Sequence, residues 1–170
     1  MAKKNYFQGN SEHPQHISVG AIVLNDKNEV CCHHFFAKDL KGYWVEEELD
    51  DFYLLMRETI RPNETLEQTL ERGLMEEFGI TATMIDYVGS IQSRFMHKGI
   101  TVEKTTLSFL SRLVEQDHSK RDTSDIEGTT KIEWKTIDFL IPLMKQQAQK
   151  YGRTDIDESS ILERTRSLIS

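Results

Sequence analysis

The stretch from Thr65 to Phe78 constrains the fold of this chain most, because it predicts an amphipathic helix with a carboxylate on its apolar side. Apolar residues recur there at the spacing of one helix face: Leu66, Leu70, Leu74 and Phe78. At about 100° per residue, Glu77 falls within this apolar arc. A charged, unpaired carboxylate among apolar side chains costs several kcal/mol. A cation, an arginine or a bound proton must therefore compensate Glu77, unless its side chain reaches solvent from the helix end.

The ends of this helix are also marked in the sequence. Thr65 suits the N-cap, where a side-chain oxygen accepts a hydrogen bond from a free backbone N–H. Glu67 and Glu71 suit the early turns, and Gly79 stands where a left-handed residue would end the helix. The pattern therefore predicts a helix from Thr65 to Phe78.

The rest of the chain predicts more strands than helices. The predicted strands are His16–Leu24, Glu29–Phe36, Phe52–Met56, Met84–Phe95, Val102–Val114 and Lys131–Lys135. Helical periodicity returns at Asp138 and again from Ile161 to Ile169, while Ala37–Asp51 and Glu115–Thr130 are predicted loops. Because no regular βαβ alternation is present, the order indicates a mixed α/β fold of the α+β kind rather than a doubly wound sheet.

The chain length of 170 residues fits one domain with a substantial core. Residues 1–11 contain Tyr6-Phe7-Gln8-Gly9, which is similar to a protease site left by an expression tag. We therefore interpret residues 1–11 as a tag or a disordered N-terminus, and residues 12–170 as a single domain that includes the C-terminal helices.

The charge balance limits the kind of partner. A net charge of −7 and a pI near 5.4 give no basic face for duplex nucleic acid. A phosphate-bearing ligand would need a local cluster of basic side chains or a divalent cation. No run of about 18 apolar residues predicts a membrane span. Adjacent Cys31 and Cys32 cannot readily form a disulfide with each other, which fits a reducing, cytoplasmic location.

Residues Glu58–Ile80 resemble the Nudix box. That motif runs Gly, five residues, Glu, seven residues, Arg-Glu, an aliphatic residue, any residue, Glu-Glu, any residue, Gly and an aliphatic residue. This chain has Glu58, five residues, Glu64, seven residues and then Arg72-Gly73-Leu74-Met75-Glu76-Glu77-Phe78-Gly79-Ile80. Seven of the nine defined positions match without a gap. With the predicted strand order and Trp134, the resemblance covers roughly Ile17–Leu143.

The resemblance implies a Nudix-like mixed sheet sandwiched by helices. It also implies a Mg²⁺-dependent (or Mn²⁺-dependent) hydrolase that cleaves the pyrophosphate bond of a nucleoside diphosphate linked to another moiety. By position, Glu76 and Glu77 are then metal ligands and catalytic residues. Glu64 and Arg72 are the structural pair that braces the loop against the helix.

Two positions depart from the motif. Gly73 replaces a glutamate, although a glycine inside a helix costs roughly 1 kcal/mol relative to alanine. Glu58 replaces a glycine, and Met56-Arg57 stands where a Pro-Gly pair is common in the family. One carboxylate fewer weakens metal binding. Gly73 would alternatively serve close helix–strand packing, and Glu58 would alternatively supply a replacement carboxylate.

Other members of the family carry the catalytic base on a late loop. The candidate here is Glu127, seven residues before Trp134, and Glu133 is the runner-up. Arg57 and Arg94 are the candidate substrate contacts, because of their charge and their proximity to the box. Each of these residues also fits an ordinary solvated position. The acidic run of Glu46–Glu48, Asp50 and Asp51 is interpreted as a solvated loop rather than a metal site.

Three functional hypotheses follow from these residues. The first is the hydrolase, with a small nucleotide-type substrate. The alternative is a catalytically impaired Nudix-fold module that binds nucleotides or regulates another protein, motivated by Gly73 and Glu58. The third is an interaction protein that uses the apolar stripes of the C-terminal helices, for example to form a homodimer.

Overall fold

The computed structural model describes residues 7–10, 12–40, 49–124 and 126–170. Within these ranges seven strands form one mixed sheet: β1 (Gln15–Leu24), β2 (Val30–Phe35), β3 (Phe52–Leu54), β4 (Met56–Thr59), β5 (Ile80–His97), β6 (Ile100–Gln116) and β7 (Lys131–Lys135). The helices are α1 (Leu66–Gly73), α2 (Ile137–Tyr151) and α3 (Ser159–Ile169). None of these helices is long and apolar enough to cross a membrane. The acidic segment Glu46–Glu48 lies outside the described residues.

The sheet order is β3-β2-β1-β6-β5, with β4 paired to β1 and β7 paired to β2. Strand β1 runs parallel to β6 along its whole length. On its other side, β1 pairs with β4 at Ser18–Ala21 and with β2 only at Leu24. The sheet therefore forks beside β1, and β4 leads from the fork into the loop that precedes α1.

Helices cover both faces of the sheet, as the sequence predicted. Because successive side chains of a strand point to opposite faces, β1 contributes to two cores. Ile22 and Leu24 pack in the core that includes α2 and α3. Val19, Ala21 and Val23 pack in the core that includes α1.

Helix α1 begins and ends where its sequence predicts. Thr65 accepts a hydrogen bond from the Gln68 N–H, and the Gln68 side chain accepts one from the Thr65 N–H, which forms a capping box. The helix continues as one π-helical turn, Leu74–Phe78, and stops at Gly79 in a left-handed conformation (φ 63°). The apolar face is buried except at Leu66, which is 38% exposed, so the prediction for Leu66 is wrong.

Strand boundaries before the helix differ from the prediction. The predicted strand Phe52–Met56 is divided at Leu55, and β4 continues to Thr59. The physical reason is a distant side chain: the Leu55 N–H donates to the Glu158 carboxylate at 2.7 Å. Beyond Leu55 the chain pairs with β1 instead of β2.

Strands β5 and β6 form a hairpin that is longer than predicted. They pair from Ile80↔Gln116 to His97↔Ile100, and β-bulges interrupt the register at three places. The hairpin turns at Lys98 and Gly99, which both have positive φ (50° and 77°). The ends of both strands carry polar side chains on the exposed face, and a prediction based on apolar runs therefore did not include them.

Two glycines with the same backbone conformation allow a matched test of packing at the end of α1. Gly79 and Gly152 both have φ 63°. A Cβ at Gly79 would lie 2.2 Å from the Asp117 carbonyl oxygen, whereas a Cβ at Gly152 would meet nothing within 4 Å. Both alanine variants carry the left-handed penalty of about 1–2 kcal/mol, and Gly79→Ala adds a backbone clash worth about 1–3 kcal/mol. We expect urea unfolding to show the larger loss for Gly79→Ala, and equal losses would contradict this packing.

Candidate active site

Arg72 holds the loop before α1 against the helix. Its Nε and Nη2 atoms donate to the two oxygens of Glu64 at 2.7 and 2.9 Å, and Nη2 also donates to the Thr59 carbonyl at 2.8 Å. The bidentate hydrogen bond to Arg72 lowers the pKa of Glu64 to about 2. The structure therefore brings Glu64 and Arg72 together as a structural brace.

The remaining nitrogen of Arg72 faces two further carboxylates of the box. Nη1 lies 2.9 Å from Oε2 of Glu58 and 3.4 Å from Oε2 of Glu76. Glu76 is 36% exposed and also lies 3.5 Å from Nη2 of Arg61. Glu58, Glu64 and Glu76 therefore surround one guanidinium group.

Glu77 is buried in the protein and does not pair with Arg72. It is 8% exposed. Its Oε2 lies 2.7 Å from Nε2 of His33, and Nδ1 of His33 lies 2.7 Å from Oγ1 of Thr130. The sequence placed Glu77 on the core side of α1, and that is its position; the alternative that it reaches solvent is wrong. Its compensating partner is a buried histidine of β2.

The hydrogen bonds of Thr130 determine how many protons the His33–Glu77 pair holds. The Thr130 hydroxyl donates to the Glu127 carbonyl at 2.7 Å, so it accepts from Nδ1–H of His33. One proton must then lie between Nε2 of His33 and Glu77. Burial raises the pKa of Glu77 and lowers the pKa of His33. Both directions favour the arrangement in which the proton lies on Glu77 and both side chains are neutral.

Glu127 is close to this pair. After burial, the negative charges of Glu127 and then Glu58 are the largest causes that raise the pKa of Glu77. Arg121 fixes the Glu127 loop to the end of α1, because its guanidinium donates to the carbonyls of Glu77 at 2.6 Å, Glu127 at 2.8 Å and Thr130 at 3.2 Å. The structure therefore brings Glu127 to the Glu77 side of the box.

Sequence reasoning missed His33, Thr130 and Arg121. One signal for His33 was available, since a histidine adjacent to buried cysteines in a β-run must place its ring on one face of the sheet. Arg121 acts through backbone carbonyls, which leave no pattern in the sequence. Thr130 is recognisable only once β2 and β7 are paired.

Glu133, the runner-up base, is surrounded by basic side chains that stabilise its ionised carboxylate. Lys131 and Lys135 lie 2.8 and 2.9 Å from its carboxylate oxygens, and His34 lies at 3.3 Å. Burial opposes its ionisation, but these three partners outweigh burial and hold the pKa of Glu133 at about 2. A carboxylate with so low a pKa is a weak base.

A cavity of about 270 Å³ lies where β4 and the hairpin approach the turn between α2 and α3. Six of the residues that line it are His16, Arg57, Phe95, Lys104, Arg153 and Asp155. Burial, and then the charge of Arg57, lowers the pKa of Lys104 to about 7. Arg57 donates to the Asp155 carbonyl at 2.7 Å. Arg94 lies elsewhere: it is 69% exposed and lies 2.6 Å from Glu103 in a separate hollow.

The box carboxylates are the residues that fit a divalent cation. Carboxylate oxygens are the ligands that Mg²⁺ and Mn²⁺ prefer. Among the described residues no three His, Cys, Asp or Glu side chains are already grouped as a cation site. Glu58 and Glu76 are occupied by Arg72, and Glu77 holds a proton. A cation would therefore compete with Arg72 for the first two and displace the proton from the third.

Fold and site together are those of the Nudix class of proteins. Residues 14–154 match the family model described as the NUDIX domain, so this chain belongs to the Nudix family. Members of this family generally use divalent metal ions and act on small-molecule nucleotide substrates. No curated protein sequence matches the chain closely enough to count as a relative.

Solved structures share the fold at low sequence identity. A NUDIX hydrolase from Nitrosomonas europaea has a TM-score of 0.63 at 16% identity, over 89% of this chain and 88% of that one. A MutT protein from Methanosarcina mazei Go1 has a TM-score of 0.55 at 18% identity, over 84% and 96%. The ORF135 protein of E. coli has a TM-score of 0.53 at 17% identity, over 92% and 91%. At these identities the likeness shows the fold.

The single proton of the His33–Glu77 pair predicts how stability depends on pH. The folded pair holds one proton. The unfolded pair, with ordinary pKa values of 4.5 and 6.5, holds two below pH 4.5, one between the two values and none above pH 6.5. The pair's contribution to the free energy of unfolding therefore rises with pH up to 4.5, is level to 6.5 and then falls by up to about 1.4 kcal/mol per pH unit.

Urea unfolding of the wild type and of Glu77→Gln, from about pH 5 to about pH 8, tests this prediction. The side-chain amide of the variant donates to His33 without titrating, so the free energy of unfolding of the wild type should fall relative to the variant as pH rises above 4.5. A difference that stays constant would mean that the folded His33–Glu77 pair holds no proton.

Proposed function

We propose that this protein is a Mg²⁺-dependent or Mn²⁺-dependent hydrolase that cleaves the pyrophosphate bond of a nucleoside diphosphate linked to another moiety. The observation that carries the proposal is the Arg72–Glu64 brace, which holds the box helix in place and presents Glu76 and Glu77 from one π-helical turn. Family membership supports the same reaction class.

Each residue then has a role that its surroundings suit. Glu76 and Glu77 hold the cation, which when bound neutralises phosphate charge and lowers the pKa of bound water. Glu127 accepts the proton of the attacking water, because it lies on the Glu77 side, whereas lysines keep Glu133 too weak a base for this step. The water oxygen bonds to phosphorus while the bridging P–O bond breaks, and the bridging oxygen leaves on the other phosphate.

The cavity beside β4 is the proposed binding site for the substrate. Arg57 connects it to the box, because the next residue of β4 is Glu58. Arg57 and Lys104 give it a local positive charge that the acidic chain lacks overall, whereas Arg153 is paired with Asp155 in the same lining. Phe95 offers an aromatic surface for a planar group. Substrate contact is therefore assigned to Arg57, and contact by Arg94 stays a prediction that lies outside this cavity.

Turnover tests the function directly. Purified protein with Mg²⁺ or Mn²⁺ should release phosphate or nucleoside monophosphate from at least one member of a panel of nucleoside diphosphate derivatives. Glu77→Gln should abolish release, since the amide cannot replace a carboxylate ligand. Glu71→Gln, the same change at an exposed position of α1, is the matched control and should keep it. No turnover of any panel member with either metal would contradict the proposal.

A binding module without chemistry is the second candidate. The observation that favours it is that three of the box carboxylates are already satisfied, Glu58 and Glu76 by Arg72 and Glu77 by a proton. It predicts that calorimetry detects nucleotide binding by a protein that does not turn the nucleotide over. Turnover by the wild type that is lost in Glu77→Gln excludes it.

The lowered pKa of Lys104 predicts a pH dependence of substrate binding. As pH rises through about 7, Lys104 loses its charge, and an anionic substrate then binds more weakly. KM should therefore increase with pH while kcat changes less. Lys104→Met should raise KM about tenfold below pH 7, the effect of one charge-assisted hydrogen bond, and should remove this pH dependence. Lys120→Met, at an exposed lysine outside the cavity, is the control. An unchanged KM in Lys104→Met would exclude the cavity as the binding site.

A further inference from the structure

The two departures from the Nudix box lie face to face in the structure. A Cβ added to Gly73 would lie 2.6 Å from Cβ of Glu58 and 3.1 Å from its Cγ. The first distance is too short for two carbon atoms, so this backbone does not accept side chains at positions 58 and 73 together. The added Cβ would also lie 2.9 Å from Sδ of Met56, so the flexible Met56 side chain would have to shift as well. Glycine at 73 is what makes room for Glu58, and the two departures are one exchange.

The exchange moves a carboxylate without removing it. The family motif has box glutamates at the positions of Glu64, Gly73, Glu76 and Glu77, and this chain has them at Glu58, Glu64, Glu76 and Glu77. The side chain of Glu58 passes over Gly73 and places Oε2 at 2.9 Å from Nη1 of Arg72, the atom that also faces Glu76. The carboxylate count of the box is therefore unchanged.

The position of Glu58 suits a ligand group. Its strand is fixed by pairing with β1 (Val19↔Glu58), and its carboxylate is partly exposed at 19%. Oε1 accepts the Thr59 N–H at 2.8 Å, so one oxygen is anchored to the backbone while Oε2 faces the box. The negative charge of Glu58 also repels a negative charge on Glu77 and so contributes to raising the pKa of Glu77.

We propose that Glu58 supplies from strand β4 the carboxylate that position 73 lacks, and that it binds the divalent cation together with Glu76 and Glu77. The inference rests on the proposed function only in that the site binds a cation. Arg72 does not need Glu58, because Glu64 and the Thr59 carbonyl already engage its Nε and Nη2. Rotation of the Glu58 side chain away from Nη1 therefore leaves the structural brace intact.

Mn²⁺ affinity, measured without substrate from the electron paramagnetic resonance signal of free Mn²⁺, tests the assignment. Glu58→Gln keeps the shape of the side chain and removes the charged ligand, and it should weaken Mn²⁺ binding by at least about tenfold. Glu71→Gln removes the same charge from an exposed position of α1 and should leave the affinity within about twofold, as a distant exposed charge does.

Restoring the family arrangement gives a second test. Glu58→Gly alone should lose Mn²⁺ affinity, and Glu58→Gly with Gly73→Glu should regain at least about tenfold of it. Gly73→Glu alone should lower the melting temperature, because its Cβ meets Glu58. If the double variant does not fold by circular dichroism, Glu58→Gln decides the question.

The outcomes separate this inference from the proposed function. If the wild type binds Mn²⁺ and turns substrate over, and Glu58→Gln binds Mn²⁺ with unchanged affinity, the role of Glu58 is overturned and the proposed hydrolase activity stands. A wild type that binds no Mn²⁺ would overturn both. Weakened binding in Glu58→Gln, with rescue by the double exchange, would establish Glu58 as the displaced ligand.

Discussion

The guanidinium of Arg72 is the group on which the arrangement of the box depends. Three carboxylates of one small region, Glu58, Glu64 and Glu76, lie around it, and each would repel the others without a positive charge between them. Its Nε and Nη2 atoms donate to Glu64, and Nη2 also donates to the Thr59 carbonyl, so the loop and the helix are held as one unit. The other two carboxylates meet its third nitrogen, from which they can be released without disturbing that unit.

The second group on which the site depends is the buried carboxyl of Glu77. Glu77 is buried beside His33, and a single shared proton leaves both uncharged, so the core contains a hydrogen-bonded carboxyl group rather than an unpaired charge. Thr130 and Arg121 complete this network and connect it to the loop that carries Glu127. The His33–Glu77 pair is therefore uncharged, whereas Glu58, Glu64 and Glu76 together carry more negative charge than Arg72 balances.

Sequence reasoning predicted the local features of this protein and missed those that depend on distant contacts. Helix α1, its caps and the inward position of Glu77 follow from the spacing of residues between Thr65 and Gly79. The break between β3 and β4 depends on Glu158, which lies 103 residues away from Leu55. The contact between His33 and Thr130 depends on the pairing of β2 with β7, and the contact between Glu58 and Gly73 depends on how β4 passes the helix. Two apparent defects of a motif could not be recognised as one exchange before that contact was visible.

The contact between positions 58 and 73 also restricts how a sequence could move between the family pattern and this one. With side chains at both positions the carbon atoms would collide, so a route of single substitutions that keeps this backbone must pass through glycine at both. That intermediate has one box carboxylate fewer than either end point. The exchange therefore passes through an intermediate that lacks one carboxylate. Packing imposes the order of the two substitutions, and the second substitution restores the negative charge that the first removed.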